Sequence, residues 1–293
     1  MTMASLTVQP GQPGQPGQSA PAQRARAVPP ATRRSGFAGT LRSELTKIRS
    51  VRSTYFTLIA FFVAGVGFSI AATAGNAANW SHINVALFDP TATSLNGTLY
   101  LGELIIVVIG ALVITSEYGT RMMGASLTAM PRRGVLYAAK ATVLTAVTAV
   151  IALITSVTSF FVGQAILGPK HAGASITSPG ALRAILLSAV FVTCCALLSF
   201  GLGAVIRHTA GAITTLFGAI FLIPALAHAL PNSWFFEIAR WLPGGDALSP
   251  INATKPLPGV NYLYGPYGQL AVFAGYAVIT VAAGALLLRR RDA

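Results

Sequence analysis

Six long apolar runs constrain the fold of this chain more than any other feature. Each run is about twenty residues or longer, which is the length that a helix needs to cross the hydrocarbon core of a bilayer. Only 9% of the 293 residues are charged, against about 25% in a typical soluble domain. The sequence therefore predicts an all-α membrane protein with six transmembrane helices. The predicted spans are residues 55–74, 97–116, 137–166, 183–206, 211–230 and 269–288.

The distribution of basic residues predicts the orientation of these spans. Most of the 20 lysines and arginines precede the first run, lie between the second and third runs, or follow the sixth run. Basic residues are retained on the cytoplasmic side of a membrane, so both termini are predicted to be cytoplasmic. The net charge of +13 is explained by this topology. Since no nucleic-acid-binding module is recognisable, no nucleic-acid partner is expected.

The first 36 residues differ in composition from the rest of the chain. The stretch "PGQPGQPGQSAPAQ" is rich in Pro, Gly and Gln and has no apolar periodicity. Such a composition cannot bury enough apolar surface to fold, which predicts a disordered cytoplasmic tail. Residues 37–293 are predicted to form the transmembrane domain.

The segment before the first span has the pattern of a basic amphipathic helix. In "LRSELTKIRSVRSTYF" Leu41, Leu45 and Ile48 recur at helical spacing, with basic residues mostly on the other faces. This pattern is typical of a helix that lies in the membrane interface. The alternative is a basic anchor that only fixes the orientation of the first span.

No catalytic or energy-coupling motif is evident in the sequence. The chain contains no phosphate-binding G-x-x-x-x-G-K-[ST] loop, and its four histidines have no spacing that would bring two of them to one metal ion. Neither a cofactor nor a metal is therefore expected in this chain. Glu103 is the one carboxylate inside a predicted span. An acid within a membrane is costly, which makes Glu103 a candidate residue of a substrate path or a proton relay.

The connection between the second and third spans is longer than a simple loop requires. In "SEYGTRMMGASLTAMPRR" Met122, Leu127 and Met130 would give a short helix an apolar side, and Pro131 would end that helix. Methionine is common on surfaces that dock partners. Two interpretations remain open, because this side could bind a soluble partner or pack beneath the chain's own spans.

The order and spacing of these segments resemble ABC-2 type permeases, the membrane subunits of ABC exporters, in their compact actinobacterial form. The resemblance rests on "LRSELTKIRSVRSTYFTL", "VITSEYGTRMMGASLTAMPRR" and a long last outer loop. It implies a connecting elbow helix over 41–52 and a coupling helix over 120–131 that docks on an ATPase. The implied elbow residues are Leu41, Glu44, Leu45, Lys47, Ile48, Arg49 and Arg52. The implied coupling residues are Glu117, Gly119, Thr120, Arg121, Met123, Leu127, Met130, Arg132 and Arg133. The resemblance also implies an outer re-entrant loop that contains Trp234, Phe235, Phe236 and Trp241.

The resemblance also implies a function. The chain would be the non-catalytic membrane subunit of an exporter in a bacterial plasma membrane, with both termini in the cytoplasm. It would act with a separate ATP-binding subunit, which holds ATP and Mg²⁺, and with a second permease chain. Its spans, rich in Ala, Val, Leu and Gly, suit a hydrophobic or amphiphilic substrate such as a drug, a lipid or a peptide. A proton-coupled transporter or a membrane-embedded enzyme that uses Glu103 is the alternative.

Overall fold

The structure is a computed structural model that describes residues 37–50, 52–119, 133–229, 249–255 and 264–290, together with Trp234 and Trp241. Outside the described residues lie the predicted disordered tail, the predicted coupling helix over 120–131, and Arg132, Phe235 and Phe236. The described part of the chain is helical and contains no β-strand.

Ten α-helices make up the described part of the chain. In chain order they are α1 (Phe37–Ser50), α2 (Arg52–Ala78), α3 (Pro90–Asn96), α4 (Gly102–Gly119), α5 (Arg133–Leu167), α6 (Ala181–Ile206), α7 (Thr209–Phe217), α8 (Ile223–Ala229), α9 (Ser249–Asn252) and α10 (Pro266–Arg290). Two π-helical turns make longer rods of the shorter helices. Gly97–Leu101 joins α3 to α4, and Gly218–Leu222 joins α7 to α8.

Six of the resulting rods are long and apolar enough to cross a membrane, which confirms the six predicted spans. They are Arg52–Ala78, Pro90–Tyr118, Arg133–Lys170, Ala181–Ile206, Thr209–Ala227 and Pro266–Arg290. The second span begins seven residues before its predicted start, at Pro90 instead of residue 97. Its first turns contain Thr91, Thr93 and Ser94, which are all buried inside the bundle. Because these polar residues face protein and not lipid, hydropathy could not reveal them.

The fourth span, α6, is the central helix of the bundle and packs extensively against α4, α5 and α10. Glycines bring the backbones close at these contacts. A Cβ placed on Gly110 of α4 would overlap the carbonyl oxygen of Ala196, and one on Gly201 would lie 2.5 Å from the carbonyl carbon of Thr280. Small residues at crossing points are how membrane helices achieve tight van der Waals packing, since lipid is as apolar as the side chains themselves.

The π-helical turn of the second span is pressed against the first span. The backbone N–H of Gly97 donates a hydrogen bond to Ser69 Oγ over 3.1 Å. A Cβ on Gly97 would overlap the carbonyl oxygen of Gly65 and meet the Ser69 nitrogen at 2.5 Å. Close by, the hydroxyls of Thr98 and Ser159 lie 3.3 Å apart. These two polar contacts, one between the first and second spans and one between the second and third, help to fix the register of the three spans.

Candidate functional site

Four charged side chains from three helices form one ion cluster. Lys140 Nζ lies 2.7 Å from Glu44 Oε2 and 2.6 Å from Glu117 Oε1. Lys47 Nζ lies 2.8 Å from Glu44 Oε1 and 3.3 Å from the same Glu117 oxygen. Each lysine thus contacts both carboxylates, and the four formal charges cancel. We call Glu44, Lys47, Glu117 and Lys140 the ion cluster.

The cluster exists because α1 turns its polar face toward the bundle. Thr40 and Glu44 are buried against the neighbouring helices, and α1 packs mainly on α5. Leu45, from the apolar face, remains 37% exposed. A soluble protein would bury the leucine and expose the glutamate. The reversed arrangement suits a helix whose outer side faces a membrane interface.

Burial makes the cluster energetically important. The side chains of Lys140 and Glu44 are only 3% and 5% exposed. Removing a charge from water is costly, so each of these groups depends on its partners. Removing one partner of such a pair leaves an uncompensated buried charge and typically costs about 3–5 kcal/mol. Lys47 is different, because 44% of its side chain is exposed.

The carboxylates also change the pKa of Lys47. Its partial burial alone would lower the pKa of this lysine. The hydrogen bond to Glu44 and the charges of Glu44 and Glu117 outweigh burial and raise the pKa above its usual value of 10.5. Lys47 therefore stays protonated at neutral pH and helps to neutralise the two glutamates.

We expect the contribution of Lys47 to stability to depend on pH in the alkaline range. A lysine whose pKa is raised on folding stabilises the folded chain fully below its unfolded pKa, and this stabilisation is lost as pH rises through the folded pKa. Lys47→Met should therefore lower the thermal unfolding midpoint modestly at pH 8 and less so above pH 10.5. Thermal unfolding of both purified chains across this range measures the difference. A difference that stays constant above that pH would contradict the expectation.

The cluster brings together residues of two segments, the predicted elbow helix and the end of the second span. Glu44 and Lys47 were implied as elbow residues and Glu117 as a coupling residue, and the structure brings these three together. Lys140 is not among the residues implied by the resemblance, although it is the most buried member of the cluster. The isolated basic charge at the start of an apolar run was the signal that could have revealed it.

The other predicted elbow and coupling residues whose side chains are described are not members of the ion cluster. Leu41 is half-buried on α1, and Arg52 is exposed at the first position of α2. Arg133 begins α5, where its Nη1 donates a hydrogen bond to the carbonyl oxygen of Leu288 in α10 over 3.4 Å. The side chains of Ile48 and Arg49 and the surroundings of Gly119 are outside what the structure describes.

Glu103 lies deep between helices of the same chain. It is fully buried, and its Oε1 accepts a hydrogen bond from Cys195 Sγ on α6 over 3.2 Å. One turn further along both helices, Ser199 Oγ donates to the carbonyl oxygen of Val107. Among the described residues, no group of three or more His, Cys, Asp or Glu side chains could hold a metal ion. Glu103 therefore connects α4 to α6 and belongs to no metal-binding cluster in this part of the chain.

Two of the predicted outer-loop aromatics are described, and both are exposed. Trp234 is 63% exposed and Trp241 is 44% exposed. The Trp241 ring makes an edge-to-face contact with Tyr264 at 6.0 Å, and its carbonyl oxygen accepts a hydrogen bond from Tyr276 on α10. Exposed tryptophan and tyrosine at the end of a span are typical of the membrane–water interface.

Taken together, six apolar helices define a multi-pass helical membrane protein. A family model described as an ABC-2 family transporter protein matches residues 40–227 of the sequence. This match covers more than half of the chain, including the first five spans and all four residues of the ion cluster. The chain belongs to the ABC-2 transporter family, and it is a membrane transport component. The comparison with curated proteins finds no match.

Proposed function

We propose that the chain is the membrane subunit of an ATP-driven exporter and works with a separate ATPase subunit. Family membership supports a permease. The observation that supports coupling to an ATPase is the ion cluster, which joins α1 to both helices that flank residues 120–132. A partner that pushes on this segment would act on three helices at once.

The path of such a push follows from the contacts around the cluster. Glu117 lies three residues before the start of the predicted coupling helix, and Lys140 lies two helical turns into α5. Their 2.6 Å contact holds the two ends of the segment together. Residues 120–131 would therefore move with α4 and α5 as a unit, and the bonds of Glu44 would carry the motion to α1.

The end of α4 also contacts the central helix. The guanidinium of Arg207, directly after α6, lies 5.2 Å from the ring centre of Tyr118. Thr209 Oγ1, at the start of α7, donates a hydrogen bond to Thr115 Oγ1 over 2.7 Å. A movement of α4 would thus reach the fourth and fifth spans. Such a movement would rock the bundle and open a path at the end opposite the ion cluster.

The remaining parts of the proposal concern partners and location. ATP and Mg²⁺ belong to the ATPase subunit, and a second permease chain, identical or related, completes the transport path. The chain lies in a bacterial plasma membrane with both termini in the cytoplasm, as the distribution of basic residues indicates. In this orientation the ion cluster is cytoplasmic.

The substrate that fits best is hydrophobic or amphiphilic, such as a drug, a lipid or a peptide. The exposed side chains along the spans are mostly apolar, for example Val63 at 60%, Val150 at 60% and Val278 at 66% exposure. Such a surface provides few hydrogen-bonding groups for a strongly polar cargo. Transport would then depend on apolar contact and on exclusion of water, without covalent chemistry.

The alternative, in which Glu103 serves a proton-coupled transporter or an enzyme, has less support. Transporters of that kind place several ionisable groups near the membrane midplane. Glu103 has a thiol as its hydrogen-bond partner and packs between α4 and α6 of one chain. This arrangement suits a buried contact between two helices better than an open substrate path.

We expect the coupling segment to determine whether an ATPase is retained. The tagged chain, co-expressed with the ATP-binding protein encoded beside its gene, should co-purify with that protein. Met123→Asp with Leu127→Asp should reduce the retained ATPase at least tenfold, because two charges on an apolar docking side prevent its burial. Quantitative immunoblotting of the purified complex measures the ratio.

A matched control places the same two charges at the opposite end of the bundle. Val85 and Leu87 are 61% and 49% exposed in the connection between the first two spans. Val85→Asp with Leu87→Asp should retain the ATPase at the wild-type ratio. If wild type retains no ATPase, or if both double variants retain it equally, the proposed coupling is wrong.

A further inference from the structure

Asp89 uses its two carboxylate oxygens for two different segments of the chain. Oδ1 accepts hydrogen bonds from the backbone N–H groups of Thr91 and Ala92, over 2.9 and 3.0 Å, and thereby caps α3. Oδ2 accepts from the backbone N–H and the hydroxyl of Thr254 and from the backbone N–H of Lys255. Asp89 is only 8% exposed. One buried carboxylate thus joins the start of the second span to a segment 165 residues away.

The segment that Asp89 holds fills one end of the helix bundle. It consists of α9 and the three residues after it, 249–255, and packs against α3, α6 and α10. Ile251 is completely buried, and Asn252 and Ala253 are 4% and 7% exposed. We call residues 249–255 the plug. It lies at the end of the bundle opposite the ion cluster, since Asp89 and Glu117 are at opposite ends of the second span.

Only a few hydrogen bonds join the described residues of the plug to other elements. Besides Asp89, Asn252 Nδ2 donates to Asn96 Oδ1 over 3.1 Å and to the Ala92 carbonyl over 3.4 Å. Arg183 Nη2, on α6, donates to the carbonyl oxygen of Ala253 over 2.6 Å. Hydrogen bonds that involve a charged group are stronger than neutral ones. The plug makes three such bonds to Asp89 and one to Arg183, so Asp89 holds it by the largest number of strong described contacts. These hydrogen bonds can break and re-form without unwinding a helix. We call the position of the plug against α3, α6 and α10 its seat.

We propose that the plug closes the outer end of the bundle, that Asp89 holds it shut, and that it leaves its seat in each transport cycle. The role of Asp89 in holding the plug in its seat is independent of the proposed function. The movement of the plug out of its seat during the cycle rests on the proposed function. The ion cluster lies at the end of α4, and the plug lies at the other end of the second span, against α3 and the start of α6. A rocking of these helices at the cluster would separate α3 from the plug at the other end.

Asp89→Asn tests the seat without removing the helix cap. Asparagine is as good a helix cap as aspartate, because its side-chain oxygen still accepts from the first N–H groups of α3. Its amide nitrogen is a donor, however, and would face the N–H groups of Thr254 and Lys255, which are also donors. The variant should therefore keep α3 and release the plug.

The reporter for release is a cysteine at Ala253, which is small and buried in the closed seat. In nanodiscs, a membrane-impermeant maleimide should label Ala253→Cys slowly in an otherwise wild-type chain and at least tenfold faster with Asp89→Asn. Val85 is 61% exposed near the same end, so Val85→Cys should react rapidly in both backgrounds. The wild-type chain, which contains Cys194 and Cys195, gives the background rate. Equal rates at Ala253→Cys with and without Asp89→Asn would overturn the role of Asp89.

A second variant, Thr254→Val, distinguishes loss of the Asp89 contacts from general misfolding. It removes one hydroxyl donor to Asp89 and leaves the backbone donors in place. Its labelling rate should lie between those of the wild-type seat and Asp89→Asn, with an unchanged gel-filtration profile. A rate equal to that of the wild-type seat would contradict a seat that depends on the contacts of Asp89.

The cycle is tested in the complex with the ATPase. Addition of ATP and Mg²⁺ should accelerate labelling of Ala253→Cys several-fold and leave Val85→Cys unchanged. If the complex hydrolyses ATP and the labelling rate stays the same, the proposal that the plug moves during the cycle is wrong, and the exporter proposal stands. If no ATPase binds the chain, the exporter proposal and the plug's opening in a cycle are both wrong. In that case the Asp89→Asn comparison still decides whether the carboxylate closes the seat.

Discussion

Lys140→Met is expected to destabilise the folded chain by about 3–5 kcal/mol, which is enough to remove most folded protein from a detergent extract. Lys140 is the buried cation between Glu44 and Glu117, at 2.7 and 2.6 Å. Without it, two carboxylates would face each other, and the half-exposed Lys47 would be the one cation left beside them among the described residues. Methionine has nearly the same length and no charge, so the variant removes the charge and retains much of the packing.

Lys47→Met is the matched control for this prediction. Lys47 contacts the same two carboxylates, but 44% of its side chain is exposed, so water can replace its contacts. The unfolding midpoint in detergent should fall far more for Lys140→Met than for Lys47→Met. Equal effects of the two substitutions would show that burial of Lys140 does not determine the stability of the cluster.

A third variant separates charge from shape. The triple variant Glu44→Gln, Glu117→Gln, Lys140→Met leaves no buried formal charge among the described residues of the site. Replacing a complete buried ion pair by neutral groups is often tolerated, whereas replacing one partner is not. The triple variant should therefore be more stable than Lys140→Met alone. It should also lose coupling to the ATPase if the cluster transmits motion between α1, α4 and α5.

Most of the fold was predictable from the sequence, because the cost of exposing backbone polar groups to lipid leaves few alternatives to apolar helices. The six spans follow directly from their apolar runs. The start of the second span did not, since Thr91, Thr93 and Ser94 are polar and are buried against protein. Hydropathy detects which residues lipid tolerates, but it does not detect polar residues that other helices cover.

The candidate site was predictable only in pieces. The basic amphipathic segment and the resemblance to ABC-2 permeases indicated Glu44, Lys47 and Glu117 one by one. The contacts of Glu44 and Glu117 with Lys140 join positions 96 and 23 residues apart, and no local pattern encodes such contacts. The same is true of Asp89, whose second partner is 165 residues away. Long-range pairing of charges depends on how the helices rotate and pack, which periodicity alone does not fix.

Gly97→Ala is expected to separate the first two spans and to destabilise the chain by on the order of 3 kcal/mol, the upper range for overpacking. The added methyl group would overlap the carbonyl oxygen of Gly65 and meet the backbone nitrogen of Ser69 at 2.5 Å. These atoms belong to the backbone of α2, so no side chain can rotate away. The helices must move apart, which also lengthens the hydrogen bond from the Gly97 N–H to Ser69 Oγ.

Gly67→Ala provides the comparison on the same helix that Gly97 contacts. A Cβ at Gly67 meets nothing within 4 Å, so the substitution adds no contact. Alanine favours a helix over glycine by about 1 kcal/mol in water, and the variant should be as stable as wild type or slightly more stable. Thermal unfolding of the two single variants in the same detergent gives the comparison. A Gly97→Ala chain as stable as Gly67→Ala would mean that the second span does not approach the first at its π-helical turn.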